Sequence, residues 1–255
     1  MRAAAALVLL ATGAGAATPD STVRFITCPI YRDADSGKKS GCWLADDRAT
    51  GLRYDVSVSP SKPDWNHEVL VEGNVSSGAR DVCGGVVLDA VRTSVLPGPC
   101  TRQMLPAEGF TGRKFVLPVR NVRPAAVPRD TPPGPYAARS FHLFFDFDAA
   151  FLIYQYDDYL LDEAITWLRA AKPRAITVTG YAATIPTNVS GRMIAEDPAI
   201  ARVRAEKIGE ALARLGIDRR TIKVRWRAAG GPVAVAEADD LPDASRRRVD
   251  ISAVF

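Results

Sequence analysis

Histidine is scarce in this 255-residue chain: His67 and His142 are the only two. Neither sits in a string that supplies hydrolase partners, and neither G-x-S-x-G nor H-E-x-x-H occurs. Cys-x-x-Cys is absent as well, which removes the usual spacing of a zinc site or a thioredoxin-like redox centre. No cofactor is therefore implied, and the chain reads as a non-enzyme. A dominant charge of one sign is also missing, with 33 basic against 29 acidic residues and a formal net charge of +4. That balance excludes a nucleic-acid binder whose affinity rests on neutralising phosphates. Nowhere does an apolar run approach the ~20 residues that span a bilayer as a helix.

The one apolar run that does occur is short and N-terminal. Met1-Arg2 precedes Ala3–Ala11, and Ala14-Gly15-Ala16 then supplies small residues at a cleavage spacing, so residues 1–16 are expected to be a signal peptide. The expected mature chain is exported to the periplasm with no remaining transmembrane segment, outer-membrane or cell-wall association being left open. Four cysteines, Cys28, Cys42, Cys83 and Cys100, agree with export and suggest two disulfides. Of the three possible pairings, Cys28–Cys42 with Cys83–Cys100 closes the shortest loops and is the one expected.

Prolines divide the chain. Pro118, Pro124, Pro128, Pro132, Pro133 and Pro135 place an extended, basic linker over residues 116–140. From Arg113 to Arg139 six basic residues face only Asp130, a local surplus larger than that of the whole chain. Before the linker, Leu52, Tyr54, Val56 and Val58 alternate with polar residues between glycine-marked turns. Residues 20–115 are thus expected to be a small disulfide-bonded β domain, a sandwich or a five-stranded barrel. Its Trp43, Tyr54 and Trp65 form one possible sugar platform, against the commoner reading of aromatics as core.

After the linker, strand and helix periods alternate. Phe141–Phe147 is a compact strand, and alternation would put Asp146 and the following Asp148 on the same side of it; Leu160, Leu161, Ala164, Ile165 and Leu168 keep helical spacing. Ile176, Val178 and Gly180 form a strand, and Asp197-Pro198 caps a second helix that Gly216 ends. Ile222–Trp226 and Val249–Phe255 close the series as strands. The order β-α-β-α-β-β gives an α+β class over residues 141–255, with both helices on one face of the sheet.

Several strings in that half resemble the OmpA-like C-terminal domain, the peptidoglycan-associating module of Pal and MotB proteins. Phe144-Phe145-Asp146-Phe147-Asp148 resembles its opening strand, and Ile176–Tyr181 its second strand and turn. Ala199–Ala205 is similar to its LSxxRA helix, Gly216-Ile217 to the following turn, and Arg247–Ile251 to its NRRVEI strand. The resemblance implies non-covalent binding of the peptidoglycan stem peptide. In that family an Asp of the turn takes the ammonium group of diaminopimelate, and the helix Arg holds a carboxylate. Here Ala183 stands where the Asp belongs and Arg204 where the Arg belongs, with Arg246 and Arg247 in the terminal arginine run. A methyl cannot replace a carboxylate facing an ammonium group. The interval before the helix is several residues longer than usual, which makes Asp197 or Glu196 a candidate for the missing charge. Expected ligand contacts are Arg204, Arg246, Arg247 and Asp197. The alternative is a periplasmic protein-interaction scaffold that has lost diaminopimelate binding, with specificity in the β domain.

Overall fold

The computed structural model describes residues 22–34, 41–78, 81–107, 109–113, 130–152 and 157–255. The expected signal peptide and residues 116–129 of the expected linker lie outside the described residues.

The N-terminal half is built from β1 (Thr22–Thr27), β2 (Pro29–Arg32), β3 (Cys42–Asp46), β4 (Arg53–Asp55), β5 (His67–Val75), β6 (Val86–Pro99) and β7 (Gln103–Leu105). They form one seven-stranded sheet in the order β1-β5-β6-β4-β3-β2-β7. The sheet curls on itself, so that Phe25 of β1 meets Tyr54 of β4 at 5.4 Å between ring centroids. Val23, Phe25, Ala45, Tyr54, Val69, Val71 and Leu88 share the resulting core. One curled sheet of seven strands replaces the expected sandwich or five-stranded barrel.

The disulfides correct the expected pairing. Cys28 is joined to Cys100 and Cys42 to Cys83, with Cα separations of 5.6 and 5.8 Å. The nested bridges follow the sheet, where chain ends far apart in sequence are neighbours, rather than the shortest loops.

The C-terminal half contains β8 (Arg139–Phe144), α1 (Asp157–Ala171), β9 (Ala175–Tyr181), β10 (Thr187–Val189), β11 (Arg192–Ile194), α2 (Ala199–Arg214), β12 (Ile222–Arg227), α3 (Pro242–Ser245) and β13 (Arg248–Val254). Its sheet runs β12-β9-β13-β8, parallel between β12 and β9 and antiparallel elsewhere. Strand alternation turns Ile176, Val178, Val249 and Ile251 toward Leu168, Ala205, Ile208 and Leu212 of the helices. Gly180 allows α2 to lie directly on β9, since a Cβ there would meet the Ala201 carbonyl oxygen at 2.0 Å. The α+β class and the expected strand–helix order are observed, with one addition: the longer interval before α2 folds as the hairpin β10–β11. Ser190 and Gly191, both at positive φ, form its turn. The first strand ends at Phe144, earlier than expected, and Asp148 takes a positive φ in the turn that follows. Asp146 and Asp148 consequently do not share a strand face.

The two halves touch through a second, smaller apolar cluster. Ile26, Leu70 and Leu96 of the β half pack with Phe147 and with Val189 of the hairpin. Two cross-half hydrogen bonds flank it: Ile26 N–H donates to Ser190 Oγ at 3.0 Å, and Phe147 N–H to Ser94 Oγ at 2.8 Å.

Candidate functional site

The turn after β9, the start of α2, the turn after β8 and the start of β13 converge at one end of the C-terminal sheet. Arg204 is central to this convergence, and its side chain is fully buried. Its Nε donates to the Ala149 carbonyl at 2.8 Å. Nη1 donates to the Tyr181 carbonyl at 3.1 Å and to Glu196 Oε2 at 3.0 Å. Nη2 donates to the Asp146 carbonyl at 3.1 Å and to Glu196 Oε1 at 2.6 Å. A guanidinium has five N–H groups, and these bonds use its full capacity.

Glu196 is equally saturated. Besides Arg204, it accepts from Asp148 N–H at 2.8 Å and from Ala183 N–H at 2.6 Å, and its side chain is also fully buried. Burial alone would raise the Glu196 pKa. The Arg204 hydrogen bonds and charge, joined by the Arg247 charge and the Ala183 N–H, outweigh it and hold the carboxyl below its ordinary range. Ala183 thus offers its backbone N–H to a carboxylate from its own chain. An acidic side chain in this turn would crowd a second negative charge against Glu196.

The arginines of the terminal run divide their work. Arg247 is buried and grips Glu72 of β5 in the other half, with Nη2 to Oε2 at 2.5 Å and Nη1 to Oε1 at 3.2 Å. Arg24 Nε donates to the same Glu72 carboxylate at 3.1 Å. Burial opposes the charge of Glu72, but Arg247 and then Arg24 and Arg92 keep its pKa below the ordinary value. Arg248 donates to the carbonyls of Gly231 and Ser245 and to Asp250, and it stacks over Tyr181. Arg246 alone of the three keeps substantial exposure, at 29 %, while bonding Asp243 and the Gly230 carbonyl. It borders a crevice of about 80 Å³ lined by Arg24, Ala183, Ile185, Ala229 and Gly230.

Of the expected ligand contacts, Arg204 and Arg247 are brought close together but are bonded internally. Asp197 is exposed and accepts from Ala199 N–H at 2.8 Å, the geometry of a helix cap. Arg246 is the one that borders open space. Glu72 escaped sequence reasoning. Its signal was an acid closing the apolar run Val69–Val71, at a position where alternation places it on the face of Leu70 and opposite to Val71.

His67 pairs with Asp64 and His142 with Asp250, each at 2.7 Å. Among the described residues no group of three or more His, Cys, Asp or Glu side chains could hold a metal ion, and no helix is long and apolar enough to cross a membrane. Trp43 and Trp65 pack against each other and Tyr31, whereas Tyr54 belongs to the core, so the expected aromatic trio is not one surface.

No protein-family profile matches the sequence, and no curated protein matches it either. Solved structures do. The chain is similar to the peptidoglycan-associated lipoprotein from Burkholderia pseudomallei, at 25% identity over 44% of this chain and 87% of that one, with a TM-score of 0.33. It is similar to the OmpA-like domain of FopA1 from Francisella tularensis, at 16% identity over 46% and 71% of the two chains, TM-score 0.34. The periplasmic domain of Helicobacter pylori MotB is a third such neighbour, at 17% identity over 48% and 79%, TM-score 0.34. The likeness covers under half of this chain in each case and is to OmpA-like domains.

Proposed function

We propose that the chain is an exported, non-enzymatic cell-envelope protein of the OmpA-like, peptidoglycan-associating class that has closed its stem-peptide site from within and works as a periplasmic interaction scaffold. The observation that carries this reading is the saturated Arg204–Glu196 pair. The guanidinium that the resemblance assigns to a ligand carboxylate already holds one, with no exposed surface on either partner. A ligand would have to displace a bidentate, buried contact, and no acid of the turn remains to take its ammonium group.

A second reading is favoured by Arg246. It is a half-exposed cation beside the Ala183–Gly230 crevice, and it could meet a stem-peptide carboxylate without disturbing Arg204. Co-sedimentation of the mature chain with purified diaminopimelate-type sacculi separates the two. The scaffold reading expects the protein to stay in solution, and expects Arg246→Ala to change nothing. Sedimentation of the native protein that Arg246→Ala reduces about tenfold, as losing one charge-assisted contact would, would replace it with the second reading.

A further inference from the structure

One edge of the C-terminal sheet, strand β12, has a composition that the closed site does not use. Among the described residues β12 pairs only with β9 and is one of the two end strands of its sheet. On one face it presents Lys223, Arg225 and Arg227, all exposed. None of the three has an ion-pair or hydrogen-bond partner among the described residues, and their neighbours across the strand are Thr177, Thr179 and Tyr181. On the other face Ile222 and Val224 are half-buried, and Trp226 is 50 % exposed. These three form the apolar wall of a groove of about 340 Å³ between the strand and α2, whose remaining lining includes Glu206, Glu210 and Arg219. Gly209 sits at its floor, where a Cβ would meet Val224 at 2.8 Å.

Strand periodicity makes this a two-sided template. Alternate residues of an edge strand also leave their N–H and C=O groups pointing outward. A segment added along the edge would find cations at intervals of roughly 7 Å on one face, the apolar wall of Ile222, Val224 and Trp226 on the other, and a hydrogen-bonding main chain between them. We propose that β12 is a docking edge for an extended peptide of a partner protein, acidic at every second position and apolar at the positions between. Self-pairing of β12 with the β12 of a second copy does not fit, because it sets Lys223, Arg225 and Arg227 against their own counterparts. A phosphate polymer would satisfy the cations but neither the main-chain edge nor the Trp226 groove.

The test uses the mature protein and a fluorescein-labelled peptide of about ten residues alternating glutamate with valine, read by anisotropy. Binding is expected, with protection of the β12 amides from hydrogen exchange. The double variant Lys223→Glu/Arg225→Glu should weaken it about tenfold or more, as two reversed cross-strand charge pairs would. A peptide N-methylated along one edge should not bind. No binding of the unmodified peptide overturns the proposal. So does equal binding of the N-methylated peptide, or full displacement by inorganic polyphosphate with unprotected β12 amides, either of which would reduce the edge to a general anion surface.

Discussion

Two buried ion pairs, Arg204–Glu196 and Arg247–Glu72, and one buried carboxyl, Asp146, set the electrostatics of the joint. They respond to acid in opposite senses. Glu72 and Glu196 have pKa values held below their ordinary ones, so each contributes stability that is complete above the unfolded value of about 4.3 and is lost as pH falls through the folded value. Asp146 runs the other way. Burial raises its pKa against the Ser61 hydrogen bond and the Arg92 and Arg247 charges, and its Oδ1 has no hydrogen-bond partner. Its ionised form is therefore a penalty, fully present above its folded pKa and relieved as pH falls. Asp146→Asn removes that penalty while keeping the shape. Urea titration should find the variant more stable than the native protein at pH 7, by about 1 kcal/mol if one poorly paired buried polar atom is the cause. The gain should vanish near pH 3.5, below the unfolded Asp value of about 3.9. A variant less stable at pH 7 would show that the surrounding arginines, not burial, govern Asp146. Arg204 could be placed on its helix from the sequence alone, because helical spacing is local. The long interval before the helix marked Glu196, beside Asp197, as a candidate for the missing charge, but that Glu196 spends it on Arg204 could not be read, since the bend depends on Ala183 offering its N–H from another element.

At the scale of elements, the hairpin β10–β11 explains the long interval before α2. It reaches across to the β half: Val189 enters the apolar cluster, Ser190 accepts from β1, and Arg192 pairs with Glu68 at 2.7 Å. Shortening the hairpin would therefore cost the docking, not the C-terminal sheet. Val189→Ala deletes two buried methyl groups and should cost about 1–2 kcal/mol at ~0.8 each. Circular dichroism should show the secondary structure intact, with the loss confined to the midpoint of denaturation; an unchanged midpoint would mean that the hairpin rests on the β half without supporting it. Both main strand–helix periods and the end of α2 at Gly216 were legible, because each depends on residues within a few turns of one another. The hairpin was visible only as extra length, its strands being three residues each and too short for a period to register. Disulfide pairing failed for a related reason. Loop length favoured close cysteines, while the curled sheet joins Cys28 to Cys100 and Cys42 to Cys83, separations of 72 and 41 residues. On the chain-entropy account each such loop constrains the unfolded state by about 4 kcal/mol.

For the whole molecule, the question is whether the two halves unfold together. A proline-rich joint suggests independent domains, and composition alone favours that expectation. Against it stands Glu72, buried in β5 and held by an arginine 175 residues later in the chain. Separating the halves would break the Arg247–Glu72 contact and leave Glu72 only the partners of its own half, Arg24 at 3.1 Å among them. It would also expose Phe147, Val189 and Leu96 together. Each consequence disfavours a state with one half folded and docked surfaces bare, so a single cooperative transition in urea is expected for the chain, with tryptophan fluorescence and far-UV dichroism coinciding. A double-mutant cycle then measures the joint. Glu72→Ala should cost about 3–5 kcal/mol, because it leaves the buried Arg247 charge without its carboxylate partner, and Arg247→Ala should cost less, because Arg24 still donates to Glu72. The double variant should cost less than their sum, with a coupling of up to about 3 kcal/mol. Two resolved transitions, with the Glu72 and Arg247 substitutions shifting different ones, would show that the halves fold separately and that the pair contributes little. One transition shifted by both would make the β half an integral wall of the closed site, and would explain why Arg247 faces its own chain rather than a ligand.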